Sequence, residues 1–132
     1  MFGKELRGLE RSLDALSLRH QVRANNVANI NTPGFKPSEV KFEDALLEAL
    51  NEPEIRSEEQ NAFDAVNGIT HPGMEAWSPT IVQRPGSQRF DGNGTSLETE
   101  MAGLSKNTLT FNTAVSVVAM EYRTIKAIIQ QR

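Results

Sequence analysis

The sequence contains no cysteine. Disulfide frameworks and thiolate metal sites are therefore excluded, and cysteine usage gives no reading of redox compartment. Aromatic residues make up only 6% of the 132 residues, with one Trp and one Tyr, and hydrophobic residues only 38%. Such a chain has little material for a large core of its own. No apolar run approaches the roughly 18 residues that a membrane-spanning helix needs. The first twenty residues, MFGKELRGLERSLDALSLRH, carry charge throughout and have no apolar h-region. A cleaved secretory signal is not expected there. Like charges never form a long block, and the net charge is −3, so neither a nucleic-acid arm nor phosphate-backbone binding is expected.

What charge there is falls unevenly. Residues 32–94 hold five basic and eleven acidic side chains, while 1–31 and 95–132 are each slightly basic. All six prolines and six of the nine glycines also lie within 32–94. This divides the chain into an N-terminal helix over 1–31, an irregular excursion over 32–94 and a C-terminal helix over 95–132.

Both ends have helical periodicity. Leu6, Leu9, Leu13, Leu16, His20, Arg23, Val27 and Ile30 alternate three and four apart, a heptad seam with two polar interruptions. Leu97, Met101, Leu104, Thr108, Phe111, Val115, Val118, Tyr122, Ile125 and Ile129 repeat the same alternation. Thr95-Ser96-Leu97-Glu98 reads as a capping box, preceded by a flexible hinge at Asp91-Gly92-Asn93-Gly94. Gly103, Thr108 and Asn112 make the second helix less regular than an ideal coiled coil. The expected fold is mainly α, with the two terminal helices paired as an antiparallel coiled-coil hairpin. In the middle, residues 39–50 suit a short helix, 76–85 a β-like run within one hairpin, and 52–68 show little pattern.

Two stretches are unusual. From Asn107 to Met120 no residue is charged. A solvent-facing helix normally carries charge on its outer side, and one partner helix covers only one stripe. Further neighbours are expected here, reached through Phe111, Val117 and Met120. The second stretch is RANNVANINTPGFK, residues 23–36, with Asn25, Asn26, Asn29 and Asn31 at the end of the first helix. With Val27 on the seam, Asn25 and Asn29 fall on the opposite side. Asn29 or Asn31 can close the helix in a left-handed conformation. Thr32 before Pro33 leaves the α region, and Pro33-Gly34 suits the centre of a type II turn ahead of Phe35. These asparagines, together with Thr32, Pro33, Gly34 and Phe35, are the expected subunit-interface residues.

ANNVANINTPGFK, residues 24–36, resembles the signature of bacterial flagellar axial proteins, the rod, hook and hook-associated subunits. The short chain and the run from DGNGTSLETEMAGLSKNTLTFNTAVSVV into TIKAIIQ are most similar to the basal-body rod protein family, in particular its proximal rod subunit. The resemblance implies a structural, self-assembling motility protein in which the paired terminal helices, residues 1–31 and 95–132, form one inner domain, and these domains stack into a hollow drive shaft. It implies type III export without a cleaved signal, and a place in the periplasmic part of the rod. The partners it implies are other rod subunits, the rod-base adaptor protein, and the membrane-ring and export-gate proteins.

Two other classes stand beside this one. A non-polymerising helical adaptor or binding module would dock one partner protein through its helices, in a stable one-to-one complex without filament contacts. An enzyme has no support: His20 and His71 have no catalytic or metal-binding grouping around them, and the acid pairs Glu52/Glu54 and Glu58/Glu59 read as solvated. DGNG lacks the further ligands of a calcium loop. No cofactor, metal or small-molecule substrate is expected.

Overall fold

A computed structural model describes residues 2–51, 58–67, 77–84 and 96–130. In chain order the elements are α1 (Phe2–Ala28), β1 (Ser38–Lys41), α2 (Glu43–Asn51), α3 (Glu58–Asn67), β2 (Thr80–Gln83) and α4 (Leu97–Gln130). At 1.5 Å rise per residue, α1 is about 40 Å long and α4 about 50 Å. The two run antiparallel against each other. Arg23 near the end of α1 meets Glu100 near the start of α4, and Glu10 near the start of α1 meets Tyr122 near the end of α4. The expected mainly α fold, with paired terminal helices and a partly β middle, is the one adopted.

The middle is more structured than its composition suggests. β1 and β2 form a two-stranded antiparallel sheet with Ser38 opposite Gln83 and Lys41 opposite Thr80. The helix expected over 39–50 begins only at Glu43, because Ser38–Lys41 are committed to the strand. Residues 58–67, read as patternless, form α3, and its Phe63 and Val66 are exposed. The expected hinge at 91–94 lies outside the described residues, as do Thr95, His71 and the acids Glu52 and Glu54. The side chains of Glu58 and Glu59 do too. The cap of α4 sits one residue later than expected. Ser96 Oγ accepts from the Thr99 amide at 3.2 Å, three residues on, so Ser96 is the capping hydroxyl.

The buried core is small and lies between α1 and this middle segment. Ala15 and Leu16 of α1 meet Val40, Phe42, Ala49 and Trp77, with Val22, Leu46, Leu50 and Phe111 packed around them. A single seam along α1 misses this second face, which carries Gly8, Ala15 and Val22 at intervals of seven. Gly8 matters because a Cβ there would sit 2.9 Å from Leu50 Cδ2, so α2 approaches only glycine. Trp77 packs edge-on to Phe42 with ring centroids 6.1 Å apart. Arg19 lies over the Phe42 ring at 4.4 Å, donates to the Val40 carbonyl at 2.8 Å, and grips Glu43 with both terminal nitrogens at 2.7 and 2.8 Å. Those hydrogen bonds from Arg19 are the main reason the Glu43 carboxyl is held below its usual pKa.

Glu100 ties the molecule together. It is fully buried. One carboxylate oxygen accepts from Arg84 at 2.9 Å, the other from Arg23 and from Asn26, both at 3.3 Å. Arg84 also donates to Glu39 at 3.1 Å, and its backbone N–H donates to the Pro37 carbonyl at 2.9 Å. The cluster thus joins α1, the sheet and α4. Gly103, one turn along α4, clears the path: a Cβ there would collide with the Arg23 guanidinium.

Removing the carboxylate takes the acceptor from Arg23 and leaves Arg84 with Glu39 alone. Glu100→Ala is expected to destabilise the chain by about 3–5 kcal/mol, read by urea unfolding with Trp77, the one tryptophan, as fluorophore. Gly103→Ala should shift the same midpoint downward. The Arg19–Glu43 pair is exposed at the carboxylate, so its effect is modest. Its sign is fixed: a lowered carboxylate pKa contributes stability above the usual value of 4.5 that is lost as pH falls through the lowered one. Glu43→Gln should therefore flatten the acid limb of the stability profile below about pH 4.5, and high salt should mimic it.

Candidate assembly interface

The asparagines at the end of α1 divide their work. Asn26 is fully buried. Its amide nitrogen donates to the Ser38 carbonyl at 2.8 Å, and its oxygen accepts from the Ser38 N–H at 3.1 Å. The side chain thereby stands in for a strand neighbour where β1 begins. Asn25 and Asn29 pair at the surface, Asn29 Nδ2 donating to the Asn25 carbonyl at 2.9 Å and to its side-chain oxygen at 3.0 Å. The helix then tightens, with Ile30 donating to Val27 and Thr32 to Asn29. No residue other than glycine has positive φ among those described, so neither Asn29 nor Asn31 adopts the expected left-handed closure. The helix ends instead in the i−3 bonds just named, while the Asn29 side chain doubles the bond that its own N–H makes to the Asn25 carbonyl. Gly34 has φ of +73° and the Phe35 N–H donates to the Thr32 carbonyl at 3.2 Å, a type II turn through Pro33 and Gly34. Asn31, Thr32, Pro33 and Gly34 are all exposed in the single chain, and Phe35 is half-buried.

Along α4 the surface facing α1 follows Glu100, Leu104, Asn107, Phe111, Ala114, Val118 and Ile125, all buried or half-buried. Two of these are polar and hydrogen-bonded: Asn107 Nδ2 donates to the Leu16 carbonyl at 2.9 Å, and Glu100 anchors the ion cluster. A search for apolar spacing passes over them. Half of the apolar alternation on α4 therefore lies to one side of the contact. Leu97, Met101, Val115, Tyr122 and Ile129 are between 42% and 69% exposed. On α1, Leu16 is buried and Leu6, Leu9, Leu13, Val27 and Ile30 are half-buried, while His20 is exposed. Arg23 was legible as a charge interrupting the seam, and a charged seam position asks for a buried opposite charge across it. Nothing in the sequence singled out Arg84.

A cavity of about 390 Å³ opens between the two helices, lined by Leu16, Ser17, His20, Gln21, Asn107, Thr108 and Phe111. Beyond it, α4 presents Leu109 at 69% and Met120 at 57% exposure, with Val117 half-buried. The hydroxyls of Thr108, Thr110, Thr113 and Ser116 each donate to the carbonyl four residues back, at 2.9–3.0 Å. Their donors are already spent, so this surface can be covered without stranding them. Tyr122 donates to Glu10 at 2.9 Å, and the neighbouring carboxylate raises the phenol pKa. Among the described residues no cluster of His, Asp and Glu is arranged to hold a metal, and no helix is long and apolar enough to cross a membrane.

The chemistry available here is protein–protein packing, and the comparisons with known proteins agree. The family model described as flagella basal body rod protein matches residues 6–36, the stretch of α1 and its turn. The flagellar basal body rod protein FlgB of Borrelia hermsii is 32% identical over 91% of this chain and 91% of its own length. FlgB of Bacillus subtilis is 22% identical over 98% of this chain and 95% of its own. A shorter match, 44% identical over 36% of this chain and 18% of that protein, is to the rod protein FlgG of Buchnera aphidicola. The chain belongs to the flagellar basal body rod protein family, as a FlgB-like structural subunit of the rod.

Proposed function

We propose that this subunit enters the proximal rod through its terminal helices, the α1/α4 hairpin packing among neighbouring subunits and the middle segment clasped against α1. One observation carries this reading. Fourteen consecutive residues of α4, Asn107 to Met120, have no charge, and Leu109 and Met120 stand exposed on the side that α1 does not cover. Isolated apolar side chains on a surface need no explanation, but a continuous uncharged face of about four helical turns calls for a cover. The asparagine turn sits at one end of the hairpin, where exposed Asn25, Asn31, Thr32 and Pro33 are free to meet the next subunit.

The partners in this reading are other rod subunits, with the rod-base adaptor and the membrane-ring and export-gate proteins beside them. Its site is the periplasmic part of the basal body, reached by export without a cleaved signal. The subunit has no catalytic role in it, and its helices order fully only in company, since the intrachain core is confined to the α1 side of α4.

Leu109→Asp and Met120→Asp are expected to abolish swimming in soft agar and to leave basal bodies without a complete rod, while the subunit is still exported. Free swimming by both variants would overturn the reading. Purified wild-type subunit should show far-UV helicity that rises with concentration. A spectrum that is fully helical and constant on dilution would contradict ordering by assembly.

A further inference from the structure

The two edges of the small sheet are finished differently. The Arg84 N–H donates to the Pro37 carbonyl, and along an antiparallel ladder hydrogen-bonded pairs alternate with non-bonded ones. With Ser38 opposite Gln83, the pairs Glu39/Val82 and Lys41/Thr80 therefore bond across the sheet. The backbone groups of Ser38 and Val40 point away from β2, and those of Ile81 and Gln83 point away from β1. On the β1 side, α1 meets them with side chains. Asn26 takes the Ser38 N–H at 3.1 Å and the Ser38 carbonyl at 2.8 Å, and Arg19 donates to the Val40 carbonyl at 2.8 Å. On the β2 side, among the described residues, no hydrogen bond reaches the outward groups of Ile81 or Gln83. Ile81 also shares a face of the sheet with Val40, directly opposite it, yet Val40 is 3% exposed and Ile81 53%. The apolar face thus extends one strand beyond its cover. Exposed edges are commonly blunted by a charge, a proline or a bulge within the strand. Thr80–Gln83 contains no charge and no proline, and its register with β1 is unbroken.

Resting on the rod reading above, we infer that β2 receives, as a third strand, a short extended segment of a different protein of the basal body. Main-chain hydrogen bonds supply the contact in such strand addition, and alternate side chains supply its selectivity. The open groups define the occupant. It offers backbone donors and acceptors to Ile81 and Gln83, and it carries no charge against the uncharged edge, where a charge would be covered without a partner. Beside Ile81 it places a β-branched or aromatic side chain, the kind that pairs well across strands. A second copy of this chain does not meet the requirement. Of its described strands, β1 has both edges engaged, one by β2 and the other by Asn26 and Arg19. Two β2 edges facing each other would be the same surface on both copies, an isologous contact that closes into a dimer, whereas a rod propagates.

Proline tests the outward amide by itself. Gln83→Pro removes an N–H that β1 does not use, and an edge strand tolerates proline where its N–H faces solvent. The purified variant is expected to match the wild type in far-UV spectrum and Trp77 fluorescence, and cells carrying it in place of the wild type are expected not to swim in soft agar. A Gln83→Pro subunit that folds and supports wild-type swimming would overturn the inference and leave the rod reading standing, because the uncharged face of α4 is untouched. Should proline unfold the chain, Gln83→p-benzoylphenylalanine reads the contact directly. Irradiated cells are expected to yield an adduct with a different basal-body protein, and peptide mapping is expected to place it on an uncharged segment of that protein. The adduct should be lost when Ile81→Lys is added to the same chain. No adduct, an adduct only with a second copy, an adduct on a charged segment, or one that persists with Ile81→Lys would each overturn the strand assignment.

Discussion

A carboxylate without water organises this protein. Glu100 is enclosed entirely, and a buried charge is tolerable only when its lone pairs are occupied. Its partners come from places far apart in sequence: Arg23 and Asn26 from the end of α1, Arg84 from just beyond β2. Other features follow from this requirement. Gly103 is small because a guanidinium passes over it. Ser96 caps α4 where it does because the helix must present Glu100 one turn later. Asn26 closes the remaining acceptor while templating the first strand. Against a hydrophobic replacement such a cluster gives little net stability. It does fix register, since sliding α4 by one turn would leave the acid without its arginines.

The hairpin divides its labour along its length. At the turn end, ionic and amide groups lock α1, the sheet and α4 together. Further along, from Asn107 to Met120, the outward surface of α4 carries no charge. The end with the asparagine motif is thus built for definition and the middle of α4 for company. That division suits a subunit that must hold its own shape at one end and take part of it from neighbours along its length.

Much of this was legible beforehand. The two helices and the type II turn through Pro33-Gly34 follow from periodicity and turn chemistry, and the pairing of the helices from the family resemblance. The fine placement of the α1/α4 contact did not, because Glu100 and Asn107 occupy it and apolar pattern-matching discards polar residues. The middle segment was read as an excursion because its proline and acid content suggests solvent. Yet Val40, Phe42, Ala49 and Trp77 supply most of the buried core. Their signal was faint, since the partner face on α1 is made of Gly8, Ala15 and Val22, small residues that a hydrophobic count barely registers.

The pairing of β1 with β2 has a consequence beyond the sheet itself. Lys41 and Thr80 lie opposite each other, so residues 42–79 depart and return through a single closed gate. Lengthening a closed loop costs only about 0.6 kcal/mol for each doubling. Residues added between those two strands, away from Phe42, Ala49, Leu50 and Trp77, therefore cost little while the paired helices keep their alignment.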